Sequence, residues 1–225
     1  MVLSDITGHC LLKNEVYFIE SVLTPLVKHL KEVIVFDTGS NDSTPEIAEK
    51  MGCRVIRRNA KSPAEVSNAR QEMCDLTTTS WAMIVDGDEL YEDSTFEQLA
   101  QQDMPDDKKL GFTPMVSVDW KDGSYWLLND PFSRTAIFPK ETLWKGVYPF
   151  EVPHWFDIPS CFHYFDVTPG YHLHRLDRSP LDHKVFMRKD KQKLFSLQEH
   201  PNLQYVKRVV LPLVNDPMYP LMVRG

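Results

Sequence analysis

No stretch of this sequence approaches the roughly 20 consecutive apolar residues needed to cross a bilayer, so no transmembrane segment is expected. The opening MVLSDITGH has neither a basic segment nor an apolar core, so no secretory leader is expected either. Cysteine is scarce: Cys10, Cys53, Cys74 and Cys161, with no C-x-x-C pair. That excludes a disulfide scaffold and predicts four reduced, mostly buried thiols in a cytoplasmic protein. Positive charge is short, with 25 Lys and Arg against 32 Asp and Glu, a net charge of -7 and a pI near 5.6. Binding to nucleic acid in bulk is driven by phosphate neutralisation, and this balance argues against it. Internal repeats, low-complexity segments and flexible linkers are missing too.

What is present is an ordinary globular composition. The chain has 225 residues, 42% hydrophobic and 25% charged, long enough for a core without structural metal. The first half alternates strands and helices. DITGHCLLK at 5–13 reads as a strand, and Phe18, Val22, Leu26 and Leu30 line one face of a helix over 15–30, with a kink expected at Pro25. VIVF at 33–36 is a continuous apolar run ending at Asp37, the pattern of a strand buried on both faces. Capping boxes at Ser43/Glu46, Ser62/Glu65 and Ser94/Glu97 predict three helix starts, the second with Pro63 at its first position. CRVIRR and WAMIVD supply the third and fourth strands. Such alternation implies a parallel sheet with right-handed crossovers, and ligands bind such sheets beyond the carboxyl ends of the strands. Asp37 and Asp86 stand at two such ends.

The second half differs. FTPMVSVDW, SYWLLND, TAIFPK and GYHLHRL read as shorter strands with aromatic faces. A basic helix opened by Ser179 and Pro180 follows, with Lys184, Arg188 and Lys191 on one face, facing either solvent or an anionic ligand. The expected organisation is a single domain over 1–200, with halves 1–105 and 106–200, then a short helix and tail over 201–225. The apolar LPLVNDPMYPLM in that tail packs on the domain or touches a membrane surface peripherally.

The sharpest local feature is Asp86-Gly87-Asp88-Glu89, directly after the fourth strand. Clustered carboxylates repel one another unless a cation compensates, and oxygen-only ligands suit Mg2+ or Mn2+. The plainer reading is an acidic loop capping the next helix. A calcium EF-hand is excluded, because Leu90 occupies a ligand position and Tyr91 the position that needs glycine.

CLLKNE, VIVFDTGSNDSTPEIAEKMGCRVI and SNARQEMCDLTTTSWAMIVDGDELY resemble, in order and spacing, the successive motifs of a family 2 glycosyltransferase of the GT-A fold. The likeness covers roughly residues 8–92; beyond 110 it is thinner and rests on Arg134, GVYPFEVPHW, His172 and His174. The resemblance implies a Rossmann-like α/β fold, with a mostly parallel central sheet flanked by helices and a mixed, β-rich C-terminal half. It also implies a nucleotide-diphosphate sugar donor, UDP-linked by preference, a divalent metal, and inverting transfer to a glycan, a lipid-linked sugar or a protein. By position in the motifs, Asp37 matches the base-recognising Asp, Arg70 the Arg that approaches the nucleotide, and Leu12 and Glu15 the residues flanking it. Gln71 stands where the family more often has Asn. Asp86, Gly87 and Asp88 match the D-x-D, which implies that Asp88 holds the metal and that Asp86 approaches the ribose or the metal through water, and His174 is the candidate third ligand. Arg175 and Arg178, with the basic helix face, would meet the diphosphate or an anionic acceptor, the plainer reading being a solvated face.

Inverting transfer needs a general base from the second half. Glu151 is the first candidate, since apolar and aromatic neighbours would raise its pKa; Asp119 and Asp130 are rivals. Trp144, Tyr148 and Trp155 either stack on sugar rings or fill a small core. A zinc site from Cys161, His163, His172 and His174 lacks paired ligand spacing. Two other classes stand beside the transferase. A sugar nucleotidyltransferase would need a Gly-rich basic loop where CLLKNEVYF has no glycine, and a non-catalytic nucleotide-sugar-binding module would not need the full acidic and histidine set. The segment 174–184 is expected to act as a lid.

Overall fold

The computed structural model describes residues 1–146, 152–174, 176, 179 and 204–214. The N-terminal half contains β1 (Ile6–Leu12), α1 (Ile19–His29), β2 (Glu32–Asp37), α2 (Thr44–Lys50) and β3 (Arg54–Arg57). It continues with α3 (Pro63–Leu76), β4 (Trp81–Ile84), β5 (Glu89–Leu90) and α4 (Asp93–Leu99). Strands β3, β2, β1 and β4 lie side by side in that order, all parallel. The expected mixed α/β architecture with a largely parallel core is therefore present.

Strand β2 shows why the run VIVF folds as it does. Val33 and Val35 join a core with Val22, Leu26 and Leu30 of the α1 region, whereas Ile34 and Phe36 face Ala69 and Met73 of α3. Side chains alternate across a strand, so a strand covered by helices on both faces must be apolar at every position. Helix α1 begins at Ile19, later than the periodicity suggests, because the chain from Glu15 first makes a turn in which the Glu15 carbonyl accepts from Phe18 and Ile19. The helix continues through Pro25.

Of the three expected capping boxes, only the one at Ser62 forms its cap bond, and there the Glu65 carboxylate returns to the amide before the cap. Ser62 Oγ accepts from Glu65 N at 3.3 Å, and Glu65 Oε2 accepts from Lys61 N. At α2 the neighbour Asp42 takes the role expected of Ser43, accepting from the amide and the hydroxyl of Thr44. Helix α4 starts at Asp93, ahead of Ser94, with no side-chain cap.

The C-terminal half extends the same sheet. Its strands are β6 (Leu110–Lys121), β7 (Ser124–Leu128), β8 (Phe132–Pro139), β11 (Phe162–Tyr164), β12 (Gly170–His172) and β13 (Tyr205–Val209), with a separate hairpin of β9 (Trp144–Lys145) and β10 (Val152–Pro153). Strand β8 runs antiparallel to β4 and to β6, and β7 and β13 extend the far side of β6 as an antiparallel arm. The short helix expected beyond 201 is thus corrected: Tyr205–Val209 is a strand paired with β7, and Tyr205 donates its hydroxyl to Asp119 at 3.0 Å. The backbone of Tyr205–Val209 pairs with the otherwise open edge of β7, and its side chains are mostly exposed. All four cysteines are free, and three are buried. Among the described residues, no helix is long and apolar enough to cross a membrane.

Candidate active site

The carboxyl ends of β1, β2 and β4 converge at the point where the strand order reverses, β1 connecting to one side of the sheet and β4 lying on the other. After β1, Asn14 adopts a left-handed conformation (φ 56). Its amide donates to Ser40 Oγ at 2.9 Å, its side-chain oxygen accepts from Asn41 N at 2.9 Å, and Glu15 N donates to Thr44 Oγ1 at 2.8 Å. The K-N-E turn and the D-T-G-S-N-D-S-T loop are therefore one hydrogen-bonded unit. Gly39 belongs to it with φ +106, a conformation other residues adopt at a cost.

Asp37 ends β2, buried, and its carboxylate accepts from Ser40 N at 3.1 and 3.3 Å and from the Ser40 hydroxyl. It closes the loop turn, and a carboxylate has lone pairs left for a further donor. Leu12 is fully buried and serves the turn through its carbonyl, which accepts from Thr38 N and Thr38 Oγ1. Leu12 and Glu15 pack directly over Gly87, where an added β-carbon would lie 2.5 Å from Glu15 Cγ and 2.8 Å from Leu12 Cδ2. The β1 and β4 ends meet at that contact.

Asp86 is the hub of an ion-pair network. Arg70 sits on the face of α3 that also buries Ala69, Met73 and Cys74, so its guanidinium reaches inward and Nη2 donates to Asp86 Oδ1 at 2.6 Å. Arg134 arrives from β8: that strand runs antiparallel to β4, Ile137 opposite Met83, so Arg134 lies beyond the end of β4. Its Nη2 donates to Asp86 Oδ2, and its Nε meets the fully buried Glu89. Glu89 Oε2 in turn accepts from Asp86 N at 3.1 Å. Burial opposes ionisation of Asp86, but Arg70 and Arg134 outweigh it and hold its carboxyl below the usual range. Burial pushes the Glu89 carboxyl up, with Arg134 opposing and the Asp86 and Asp88 charges adding to the rise. Arg70 Nη1 is buried without a hydrogen-bond partner.

Asp88 lies on the other side of the loop. Strand β12 pairs antiparallel with β5, placing His172 opposite Glu89, and Leu173 N donates to Asp88 O at 2.7 Å. His172 Nε2 is 3.9 Å from Asp88 Oδ1, and the His172 and His174 rings pack at 4.2 Å. The fold thus brings Asp86, Gly87, Asp88, Arg70, His172 and His174 together, with Glu15 and Leu12 packed against Gly87. Asp119 is not among them. Thr113 of β6 faces Arg134, and Asp119 lies six residues further along that strand, about 20 Å away at a strand's rise per residue. Its carboxylate accepts from Trp120 N and from Tyr205. Trp144 and Trp155 pack on a core containing Phe112 and Phe138, the second of the two roles expected for them. Glu151, Tyr148, Arg175, Arg178, Lys184, Arg188 and Lys191, and with them most of the expected lid, lie outside the described residues.

Sequence reading gave Arg134 and Glu89 no role in the network. The signals for Arg134 are its part in the thinner family likeness beyond residue 110 and its being a lone cation in the otherwise uncharged strand FSRTAIFP. Among the described residues, no group of three or more His, Cys, Asp or Glu side chains is arranged to hold one metal ion.

Residues 12–158, well over half the chain, match the model of glycosyl transferase family 2. The chain belongs to that family. Over 104 residues it is 30% identical to a TPR repeat-containing protein of Synechococcus elongatus, covering 46% of this chain and 25% of that protein. This family 2 chain therefore spans about a quarter of the length of that curated relative. Among solved structures it resembles S. aureus TarS, with 20% identity, a TM-score of 0.46, and 60% of this chain and 28% of that one covered. It also resembles a glucosyl-3-phosphoglycerate synthase from Mycobacterium tuberculosis in complex with Mn2+ and UDP-glucose, with 24% identity, a TM-score of 0.39, and 48% and 42% covered.

Proposed function

We propose that this chain is a metal-dependent, inverting glycosyltransferase that uses a UDP-sugar donor. The observation that carries the reading is the contact of Gly87 with Glu15 and Leu12, which sets the acidic loop at the strand-order reversal where nucleotides bind in open α/β sheets. Neighbouring structures include S. aureus TarS in complex with UDP-GlcNAc and the mycobacterial synthase with UDP-glucose and Mn2+. Asp37, beside the Ser40 turn, would accept a hydrogen bond from the uracil imide N–H, and the buried Arg70 Nη1 would supply a charged donor for a diphosphate oxygen.

Mg2+ and Mn2+ need only one or two protein carboxylates when water and phosphate complete their shell, so a ready-made cage of ligands is not required. Asp88 fits that demand. His172 beside it and His174 are the imidazoles within its neighbourhood. Asp86 fits poorly as a direct ligand, because each of its oxygens already accepts from an arginine. When bound, the ion would offset charge on the departing diphosphate. The chain's own contribution is to hold donor and acceptor in place, exclude water and take the acceptor proton. For that proton Glu151 is the proposed base, ahead of Asp119, whose carboxylate is held by Tyr205. The acceptor is a glycan, a lipid-linked sugar or a protein. Calorimetric titration with UDP, GDP and ADP, each with and without Mn2+, tests the donor reading. UDP should bind best and only with metal, and a purine nucleotide winning would overturn it.

A further inference from the structure

Beside Asp88 the strand β8 carries a large apolar ring that the donor site does not use. Phe132 is the first residue of β8, two before Arg134, so both side chains stand on the same face of the sheet. Its ring lies 5.6 Å from that of His172, whose Nε2 is 3.9 Å from Asp88. Phe132 is nevertheless 37% exposed. Two residues earlier Asp130 is anchored by a 3.3 Å hydrogen bond from Ser117 N to its Oδ1, and Ser117 is the β6 residue opposite His172 of β12. An open phenyl ring is thus bordered by a carboxylate and an imidazole, next to the acidic loop.

We infer that Phe132 is the floor of an acceptor subsite that takes a neutral saccharide. The inference rests on the glycosyltransferase reading above and narrows its acceptor. A pyranose has one face of axial C–H bonds and a rim of hydroxyls. The C–H face packs on an aromatic ring, whose π face carries partial negative charge, and the rim hydroxyls donate to carboxylates and exchange hydrogen bonds with imidazole. Phe132, Asp130 and His172 present those groups together. The local charge favours the same class. Asp86 and Glu89 are compensated by Arg70 and Arg134, whereas the Asp130 carboxylate beside Phe132 has no arginine of that network against it and repels an anionic acceptor such as a lipid phosphate. One phenyl ring is also too small to hold a lipid chain.

The test uses the full chain with Mn2+ and either UDP-glucose or UDP-GlcNAc, and follows UDP release. The acceptor probes are methyl β-glucopyranoside, methyl N-acetyl-β-glucosaminide and a neutral peptide rich in Ser and Thr. A saccharide probe should accelerate UDP release. Phe132→Ala should raise the KM for that probe about tenfold, the scale of losing one stacked ring, with kcat retained and the affinity for UDP by calorimetry within twofold of the parent. Phe132→Trp should return the KM to the parent value, which a purely structural role would not predict. An unchanged KM in Phe132→Ala overturns the subsite. So does acceleration by the peptide alone, or by no saccharide while UDP still binds. Failure of the parent to bind UDP is a separate result, which removes the donor reading and the subsite with it.

Discussion

A β-carbon on Gly87 would stand 2.5 Å from Cγ of Glu15, closer than real β-carbons approach a neighbour. The loop after β4 therefore rests on the loop after β1 with no space between them. Glu15 is buried and its amide is bonded to Thr44, so it cannot swing aside freely. Gly87→Ala should cost about 1–3 kcal/mol of stability, as overpacking does, and displace Asp86 and Asp88 together. Chemical denaturation and UDP affinity measured on one preparation check this; an unaffected midpoint with unchanged UDP binding would refute it.

Asp86 and Asp88 should behave oppositely when neutralised. Asp86→Asn leaves two largely buried guanidiniums short of a charge partner, and breaking a buried pair from one side costs about 3–5 kcal/mol. Asp88→Asn should leave the melting temperature nearly unchanged and abolish Mn2+-dependent binding of UDP. If Asp88→Asn bound UDP with Mn2+ as tightly as the parent, the metal assignment would fall.

Asp37→Ala should erase any preference for UDP over ADP and GDP. Losing a charged hydrogen bond costs about 1.5–3 kcal/mol, or about 10–150-fold in affinity. The same change frees Ser40 from its turn, so Ser40→Ala is the informative control. It should loosen the turn yet keep the base preference, and loss of preference in both variants would make Asp37 a turn residue only.

His9 predicts an acid weakness. Its Nε2 is 2.6 Å from Thr77 Oγ1, and the Thr77 hydroxyl donates to Met73 O, so the imidazole Nε2 is the donor of that bond. Burial, with the Arg70 charge adding to it, lowers its pKa to about 3. A depressed folded-state value means that stability is complete above the unfolded pKa near 6.5 and is lost as pH falls toward the folded one. Between pH 7 and pH 5 this one group should remove about 2 kcal/mol. His9→Gln should flatten that part of the stability profile, and a parent profile already flat over this range would contradict the assignment.

Much of the N-terminal half is legible in the residues because its cues are local. VIVF is apolar at every position since helices cover both faces of β2, and Ser62 with Pro63 marks a helix start by chemistry confined to one turn. What stayed hidden depends on distant partners. Asp42 displaced Ser43 as a cap because its carboxylate reaches both the amide and the hydroxyl of Thr44, and either residue type is a good candidate. Tyr205–Val209 is strand only because β7 offers an open edge. Arg134 acquires its partners through an antiparallel register 48 residues from Asp86, which periodicity within a segment cannot reveal.

That register also orders events during folding. The chain must close the loop from Asp86 to Arg134, and the longer one from Asp88 to Leu173, before the acidic turn has its second cation and its histidine strand. Loop closure is an entropic cost met before any contact rewards it, and long-range pairings of this kind form slowly. A nascent chain that has emerged only through α4 would carry Asp86 and Glu89 with Arg70 as their sole guanidinium neighbour among the network's members. Its acidic turn would be electrostatically unfinished, and nucleotide affinity should therefore appear late in refolding, after the helices have formed.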